Sequence, residues 1–186
     1  MTHAASSGLQ RLNELPPAEA EAHLLSCCGS REWARRLSAE RPFASAEELA
    51  EASDRIWRSL PKEEWLGAFA AHPRLGEVAG TGPTGAKQKS DQKRGLSPFW
   101  SREEQAGTAT ASPETLANLA EANREYEERF GHVFIVCASG KSAAEMLAEA
   151  LARLHNDAQT ELEIAAEEQR KITRLRLAKL LEAEGA

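Results

Sequence analysis

The sequence has few cysteines and no long apolar run, and both features limit the classes of protein to which it can belong. Only 3 cysteines occur among 186 residues, at positions 27, 28 and 137. A sparse and odd-numbered set of thiols is typical of a protein that works in a reducing compartment. No stretch approaches the roughly 20 apolar residues that a membrane-spanning helix requires. We therefore expect no membrane partner and a cytoplasmic location.

The sequence also lacks a basic excess. Its 23 basic and 29 acidic residues are interleaved and give a formal net charge of −6. Proteins that bind nucleic acids usually carry sustained blocks of lysine and arginine. The sequence has no such block, so we expect no nucleic-acid partner. Residues 1–8 are small and polar without the apolar core of a secretory signal, and the C-terminal tripeptide is no peroxisomal address. Both observations agree with the expected cytoplasmic location.

Motifs for a metal or a phosphate-bearing cofactor are missing as well. His23 and Cys27 are one helical turn apart, but no second pair with zinc-ligand spacing accompanies them. Neither HExxH nor a glycine-rich phosphate loop occurs. Cys137 would need a base to act as a nucleophile, and His132 is near it only in sequence. Because Cys137 lies in an apolar run, a buried, inert thiol is the favoured interpretation. We expect a protein without metal and without organic cofactor.

The chain does contain a series of helical patterns with start and stop signals. Pro17 suits the first turn of a helix that ends at Gly29. The last helix is predicted from about residue 160 to 181. Serines are predicted to begin five helices: Ser30, Ser45, Ser101, Ser112 and Ser142. Three of them, Ser45, Ser101 and Ser142, have the Ser-x-x-Glu spacing of a capping box. We expect an all-α fold of about seven to nine helices in a single compact domain over residues 1–186, with its core at about 12–181.

Two stretches depart from the helical pattern. Residues 77–100 are rich in glycine, proline and lysine. A loop of this length inside a domain is either a functional lid or an insertion without a role, and the sequence favours neither. Residues 133–138 form the one β-rich apolar run, too short for a confident strand. We interpret this run as a buried extended segment without strand partners.

His72 stands where a helix is predicted to end. The residue before a proline is pushed out of the α region, so Pro73 places His72 at the helix end or just beyond it. The helix dipole favours a protonated imidazole there, and histidine titrates near neutral pH. Arg74 adds a fixed cation, and Gly76 lets the backbone turn away. A plain helix stop is the alternative interpretation.

The final helix carries a polar anomaly. Projected at 100° per residue, Gln169 and Arg176 lie in the middle of its apolar arc, Arg170 at the edge and Arg174 away from it. A buried guanidinium must be paired or must bind an anion. The alternatives are therefore a bound anionic ligand, a core carboxylate, or helix C-terminal carbonyls as the partner of Arg176.

Glu104 is also open to two interpretations. Ser101 and Glu104 have the spacing of a capping box, which needs no further function. The N–H groups at a helix N-terminus can also hold an anionic group of a substrate. The two interpretations do not exclude each other.

Taken together and in order, several stretches resemble the 2-oxo-4-hydroxy-4-carboxy-5-ureidoimidazoline (OHCU) decarboxylases. They are Arg-Pro-Phe at 41–43, His-Pro-Arg-Leu-Gly at 72–76, Ser-x-x-Glu-Gln at 101–105, Phe-Gly-x-Val-Phe-Ile-Val-Cys-Ala at 130–138 and Glu-Glu-Gln-Arg-Lys-Ile-Thr-Arg-Leu-Arg-Leu at 167–177. The likeness covers roughly residues 12–181. It departs from the family's pattern between His72 and Glu104, where this chain is longer than usual.

The resemblance implies an all-helical, usually dimeric, cofactor-free enzyme of urate catabolism that converts OHCU to (S)-allantoin and CO2. It implies that His72, Glu104 and Arg176 are catalytic. It further implies substrate contacts from several matching positions: Pro73, Ser101, Glu104, Gln105, Arg176 and the 134–138 segment, which consists of Phe134, Ile135, Val136, Cys137 and Ala138.

The chemistry of such a substrate suits these residue types. We assign His72 as the general acid, assisted by Glu104, and Arg176 as a forked contact to the substrate. Arg170 or Arg174 in place of Arg176 remains open. A decarboxylase or lyase for a related ureide and a non-catalytic helical interaction module are the alternative functions.

Overall fold

The computed structural model describes residues 7–75 and 111–183, and within them it contains eight helices and no β-strand. This confirms the all-α class. The helices are α1 (Ser7–Glu14), α2 (Pro17–Cys28), α3 (Arg31–Ala39), α4 (Ala46–Arg58), α5 (Lys62–Phe69), α6 (Pro113–Phe130), α7 (Ala143–Arg153) and α8 (Ala158–Ala183). None of these helices is long and apolar enough to cross a bilayer.

The chain divides into two compact units. Among the described residues, the first unit contains those between 1 and 68 and between 170 and 186, and the second contains those between 69 and 169. The predicted loop at 77–100 and the predicted helix start at Ser101 lie outside the described residues.

Serine side chains cap four of the eight helices, at the positions where the serine spacing predicts a helix start. The Oγ of Ser30 accepts from the N–H of Trp33 (3.1 Å), and the Oγ of Ser112 accepts from that of Thr115 (3.1 Å). Ser142 forms a full capping box with Glu145 at the start of α7. At the other ends, Gly29 and Gly131 adopt positive φ angles of 85° and 76°, which glycine reaches without steric cost.

Two local features differ from the sequence-based expectations. The Oγ of Ser45 caps Glu48 as predicted (3.1 Å), but the carboxylate of Glu48 accepts from the N–H of Ala44 (2.6 Å), so α4 does not begin with a standard box. Helix α1 was not expected. Its periodic signal consists only of Leu9 and Leu12, both fully buried, and two apolar residues are too few to reveal a helix.

In the first unit, α2 packs on α3 and α3 on α4. Trp33 is completely buried between them, and its indole N–H donates to the carbonyl of Ser53 (3.2 Å). Arg41 closes the end of α1, since its guanidinium donates to the carbonyls of Leu12 (2.5 Å) and Leu15 (2.9 Å). The Arg-Pro-Phe stretch at 41–43 is therefore structural: it satisfies helix-end carbonyls.

In the second unit, α6 packs on α7 around one apolar cluster. This cluster joins residues from both helices, from the turn after α5 and from the run at 133–138: Leu75, Leu119, Ala122, Tyr126, Phe134, Val136, Ala138, Met146 and Ala150. Residues 133–138 form neither helix nor strand, and four of the six are buried. The expectation of a buried segment without strand partners is confirmed.

Candidate active site

His72 lies in a turn that follows α5. The helix ends at Phe69, three residues earlier than His72, and the backbone N–H of His72 donates to the carbonyl of Phe69 (3.0 Å). Pro73 then prevents a further helical turn. The His72 ring is half-buried. The placement just beyond the helix agrees with the prediction from the His-Pro pair.

Helix α6 anchors the backbone that follows His72. The guanidinium of Arg74 pairs with the carboxylate of Glu127 (2.7 Å), and the amide of Asn123 donates to the carbonyl of Leu75 (2.9 Å). The side chain of Leu75 is 6% exposed and belongs to the apolar cluster of the second unit. Three contacts of different kinds thus restrain the residues just after the imidazole.

The same cluster contains most of the 134–138 segment. Phe134, Val136 and Ala138 point into it together with Leu75. The structure therefore brings together two stretches that the sequence assigns to the site, the His72 turn and the 134–138 segment. They are separated by about 60 residues along the chain, and α6 and its Tyr126 provide the common packing surface.

Two charged side chains hold the backbone of this segment. Arg153 at the end of α7 donates from Nη1 to the carbonyl of Ile135 (2.9 Å). The N–H of Cys137 donates to the carboxylate of Glu168 on α8 (2.8 Å). A buried irregular segment lacks the ladder partners that a strand would have, so side chains must satisfy its polar groups.

Arg153 itself belongs to a buried polar network centred on Glu161. The carboxylate of Glu161 is completely buried and accepts from Arg153 Nη2 (2.5 Å), Arg153 Nε (2.9 Å) and Asn156 Nδ2 (2.8 Å), and also from the Tyr126 hydroxyl. Burial lowers the pKa of Arg153, but the hydrogen bonds and charge of Glu161 raise it above its ordinary value. Burial and the bond to Glu161 raise the pKa of Tyr126, so the phenol remains a donor.

His132 lies beside this network in an aromatic cage. Its ring is 5.2 Å from that of Phe69 and 5.5 Å from that of Tyr126, measured between centroids. Burial lowers the pKa of His132, which outweighs the opposing effect of its contact with the Val133 carbonyl. The imidazole is therefore neutral at physiological pH and acts as a packing element of the second unit.

Arg176 lies in the first unit and is 1% exposed, as the helical projection predicts. Its Nη1 donates to the carbonyl of Cys27 (3.2 Å), in the last turn of α2. One of the alternatives, a helix C-terminal carbonyl as partner, is thus present in the structure. The substrate contact expected of Arg176 stays a prediction.

The other two arginines of this helix share a carboxylate. Asp54 of α4 accepts from Arg170 Nη1 (2.6 Å) and Arg174 Nη2 (2.9 Å). The Arg174 side chain is 45% exposed while that of Arg170 is 15% exposed, which confirms the edge and outward positions given by the projection. Asp54 thus ties α4 to α8 within the first unit.

The cysteines behave as core residues more than as ligands. Cys27 and Cys28 are buried, and burial raises the pKa of Cys28 to about 11, so its thiol stays protonated. Cys137 is half-buried, not fully buried as expected: its neighbours Val136 and Ala138 belong to the apolar cluster, and Cys137 does not. Within residues 7–75 and 111–183, no group of three or more His, Cys, Asp or Glu side chains could hold a metal ion.

Three of the predicted site residues, Ser101, Glu104 and Gln105, lie outside the described residues. Sequence reasoning also missed Arg153 and Glu161. A signal for Arg153 existed, since it is seven residues after Met146 and three after Ala150 and therefore shares their apolar face.

With this geometry in place, comparison with known proteins defines the class. A model of the OHCU decarboxylase family matches residues 13–178, a range that includes the His72 turn, the 134–138 segment and Arg176. The chain belongs to the OHCU decarboxylase family.

Individual relatives refine this statement. A uric acid degradation bifunctional protein of Arabidopsis thaliana is 41% identical over 83% of this chain, which spans only 45% of that relative's length. The 2-oxo-4-hydroxy-4-carboxy-5-ureidoimidazoline decarboxylase of Amia calva is 33% identical, over 76% of this chain and 75% of its own. A crystal structure of OHCU decarboxylase in the presence of (S)-allantoin superposes with a TM-score of 0.71 at 37% identity, covering 87% of this chain and 98% of that one.

Proposed function

We propose that this protein decarboxylates OHCU to (S)-allantoin and CO2 as a step of urate degradation. The observation that supports this most is the family match over residues 13–178. The 37% identical crystal structure determined in the presence of (S)-allantoin agrees with this choice of product. We further propose that residues 1–186 form a single domain of this family, with its core at about 12–181.

The reaction needs little from the protein beyond alignment and protons. The bond between the carboxylate and the hydroxyl-bearing ring carbon breaks. Its electron pair forms a C=C bond to the neighbouring ring carbon, and the π pair of that carbon's C=N bond moves onto the ring nitrogen. The ring nitrogen takes up one proton, the hydroxyl loses one as it becomes a carbonyl, and the neighbouring ring carbon gains one. The net change is uptake of one proton and release of CO2. Because the imine accepts the electrons, the proposal includes no cofactor.

The protein must deliver the proton to one face of that ring carbon. We assign this role to His72, with Glu104 polarising the substrate hydroxyl. The contacts of Arg74 and Leu75 with α6 support the assignment, because they restrain the chain next to the imidazole. A restrained donor is what stereospecific protonation requires.

Substrate binding is assigned to polar groups that match a planar, anionic ureide. Arg176 would contact the substrate carboxylate or carbonyls through its fork. Pro73, Ser101 and Gln105 complete the proposed contacts, together with the backbone of the 134–138 segment. Arg176 is already oriented by the carbonyl of Cys27, which is consistent with a preorganised contact.

The decisive experiment is a stereochemical assay. OHCU decays spontaneously to racemic allantoin, so only an enzyme yields one enantiomer quickly. We expect time-resolved circular dichroism to show rapid formation of (S)-allantoin with the purified full chain. Racemic product at the spontaneous rate would reject catalysis of this reaction and leave the interaction module as the function. Turnover of another ureide in its place would favour the related lyase.

Two further parts of the proposal have their own tests. Exhaustive chelation should leave the activity unchanged, and activity that is lost and then restored by zinc would refute cofactor independence. We also propose a cytoplasmic homodimer. Light scattering coupled to size exclusion should give twice the chain mass of 20.3 kDa, and a mass of one chain at working concentration would contradict the dimer.

A further inference from the structure

The buried network around Glu161 has a polar group directed at the proposed substrate site. Most of the guanidinium of Arg153 is used inside the network, where Nε and Nη2 bind Glu161. Nη1 lies outside this pair: it donates to the carbonyl of Ile135 (2.9 Å), in the middle of the 134–138 segment, and it also lies 3.4 Å from the carboxylate of Glu149. One side chain therefore links a fully buried carboxylate to the backbone of an irregular stretch.

Arg153 also contacts the side-chain part of that segment. Its guanidinium carbon lies 4.6 Å from the centroid of the Phe134 ring, a cation–π distance. The neighbouring Tyr126 ring is edge-on to Phe134 at 5.1 Å. The ring of Phe134 and the carbonyl of Ile135 are thus held by the same planar cation, which fixes both position and orientation.

Core stability alone does not require such a network. Replacing a buried ion pair by uncharged residues of similar size is often neutral or stabilising, because desolvating two charges is costly. What an apolar pair could not supply is a directional donor to the Ile135 carbonyl. Glu161 keeps that donor in place, and Tyr126 and Asn156 in turn satisfy Glu161.

We infer that Arg153, oriented by Glu161, is a positioning residue for the 134–138 segment, holding the backbone that meets the substrate ring. The inference rests on the proposed function for that contact, but the anchoring itself can be measured without substrate. Glu168 supports the same stretch from α8 by accepting from the N–H of Cys137 (2.8 Å). Arg153 acts through the segment and transfers no proton.

The test uses a variant designed to keep the fold. Arg153→Met leaves Glu161 buried without its cation, so it is combined with Glu161→Gln, whose amide still accepts from the Tyr126 hydroxyl and carries no charge. The matched control is Arg129→Met. Arg129 also donates to a backbone carbonyl, that of Asn156 (3.2 Å), and lies 5.3 Å from the centroid of the Phe130 ring, but it does not contact the 134–138 segment.

Three measurements on the full chain distinguish positioning from packing. We expect amide hydrogen exchange in the 134–138 segment to be on the order of tenfold faster in the double variant. The kcat/KM for OHCU should fall on the order of tenfold at equal folded concentration, mainly through KM, with loss of enantiomeric excess. The pH profile of kcat should keep its shape, since the proton donor is unchanged. Arg129→Met should match wild type in all three.

Several outcomes would overturn the inference. Wild-type exchange and wild-type kcat/KM in the double variant would make the network purely structural, as would an equal loss in Arg129→Met. A changed pH profile of kcat would indicate a role in proton transfer. If the double variant does not fold, Arg153→Lys replaces it: lysine keeps the charge but not the fork, so the same changes should follow at smaller size.

Failure of the proposed function is recognisable separately. It would show as a wild-type chain that does not accelerate formation of (S)-allantoin. In that case the exchange measurement alone decides whether Arg153 anchors the 134–138 segment.

Discussion

Among the described residues, each unit of the molecule buries one arginine almost completely, and each of the two donates to a backbone carbonyl. Arg153 in the second unit binds the carboxylate of Glu161 and the carbonyl of Ile135. Arg176 in the first unit donates to the carbonyl of Cys27, near the C-terminal end of α2. The contact of Arg153 with Glu161 joins two charges, whereas the contact of Arg176 with Cys27 joins a charge to the negative end of a helix dipole.

This difference bears on what each guanidinium can do. A carboxylate neutralises a cation as well as orienting it, whereas a carbonyl orients it without removing its charge. Arg153 is thus suited to hold a neutral backbone group over a long time. For Arg176 we propose a contact with the anionic substrate, and the carbonyl of Cys27 is one of the groups that orient its guanidinium.

The largest effect on activity is expected for a substitution of His72. This residue is proposed to act in the chemical step, whereas the two arginines are proposed to position the chain or to bind the substrate. His72→Asn keeps hydrogen-bonding capacity but cannot carry a titrating proton at neutral pH. We expect kcat to fall by about 10²–10⁴ with little change in the thermal midpoint. The residual product should drift toward racemic, as followed by circular dichroism.

A matched control is His155→Asn, the same change at an exposed histidine after α7. Near-normal rate and full enantiomeric excess in His72→Asn would remove the imidazole from the mechanism. The His-Pro pair would then be a helix stop and nothing more.

The second prediction separates the arginines by stability. Arg153→Met alone leaves the completely buried carboxylate of Glu161 without its cation. We expect the free energy of unfolding to fall by about 3–5 kcal/mol, measured by denaturant titration. Adding Glu161→Gln should recover most of that loss, and a double variant as unstable as the single one would contradict the charge argument.

The third prediction separates them by substrate affinity. Arg176→Met should raise the KM for OHCU by about 10–100-fold, the usual cost of losing hydrogen bonds from a charged group. Arg174→Met serves as the comparison, because Arg174 is half exposed and pairs with Asp54. If Arg174→Met raises KM and Arg176→Met does not, the substrate arginine has been misassigned.

The smallest predicted effect is a pH dependence of the folding stability that comes from His132 in the second unit. Burial lowers the pKa of His132 from its ordinary value of 6.5, so the unfolded chain takes up a proton before the folded one does. Stability should therefore be lost as the pH falls below about 6.5. Urea titrations across that range should show a weaker pH dependence for His132→Phe, and an unchanged slope would assign the effect to other groups.

How much could be predicted from the sequence depended on whether a signal was local. Ser142 and Glu145 specify a helix start by themselves. Because α8 is long, its apolar periodicity was clear enough to predict that Arg176 points inward. The contact of Arg153 with Ile135 is different in kind. Its position on an apolar face was visible, but its partners come from other elements and only the fold brings them together.

Helix α1 was missed because its local signal is too short, and its attachment has a kinetic consequence. Gly8 lies against the backbone of Leu181, where a Cβ would overlap the carbonyl, so α1 is seated on the end of α8. This contact closes a loop of almost the whole chain, and the entropy of closure grows with loop length. We expect it to form after the folding transition state, so that Gly8→Ala accelerates unfolding and leaves the refolding rate almost unchanged.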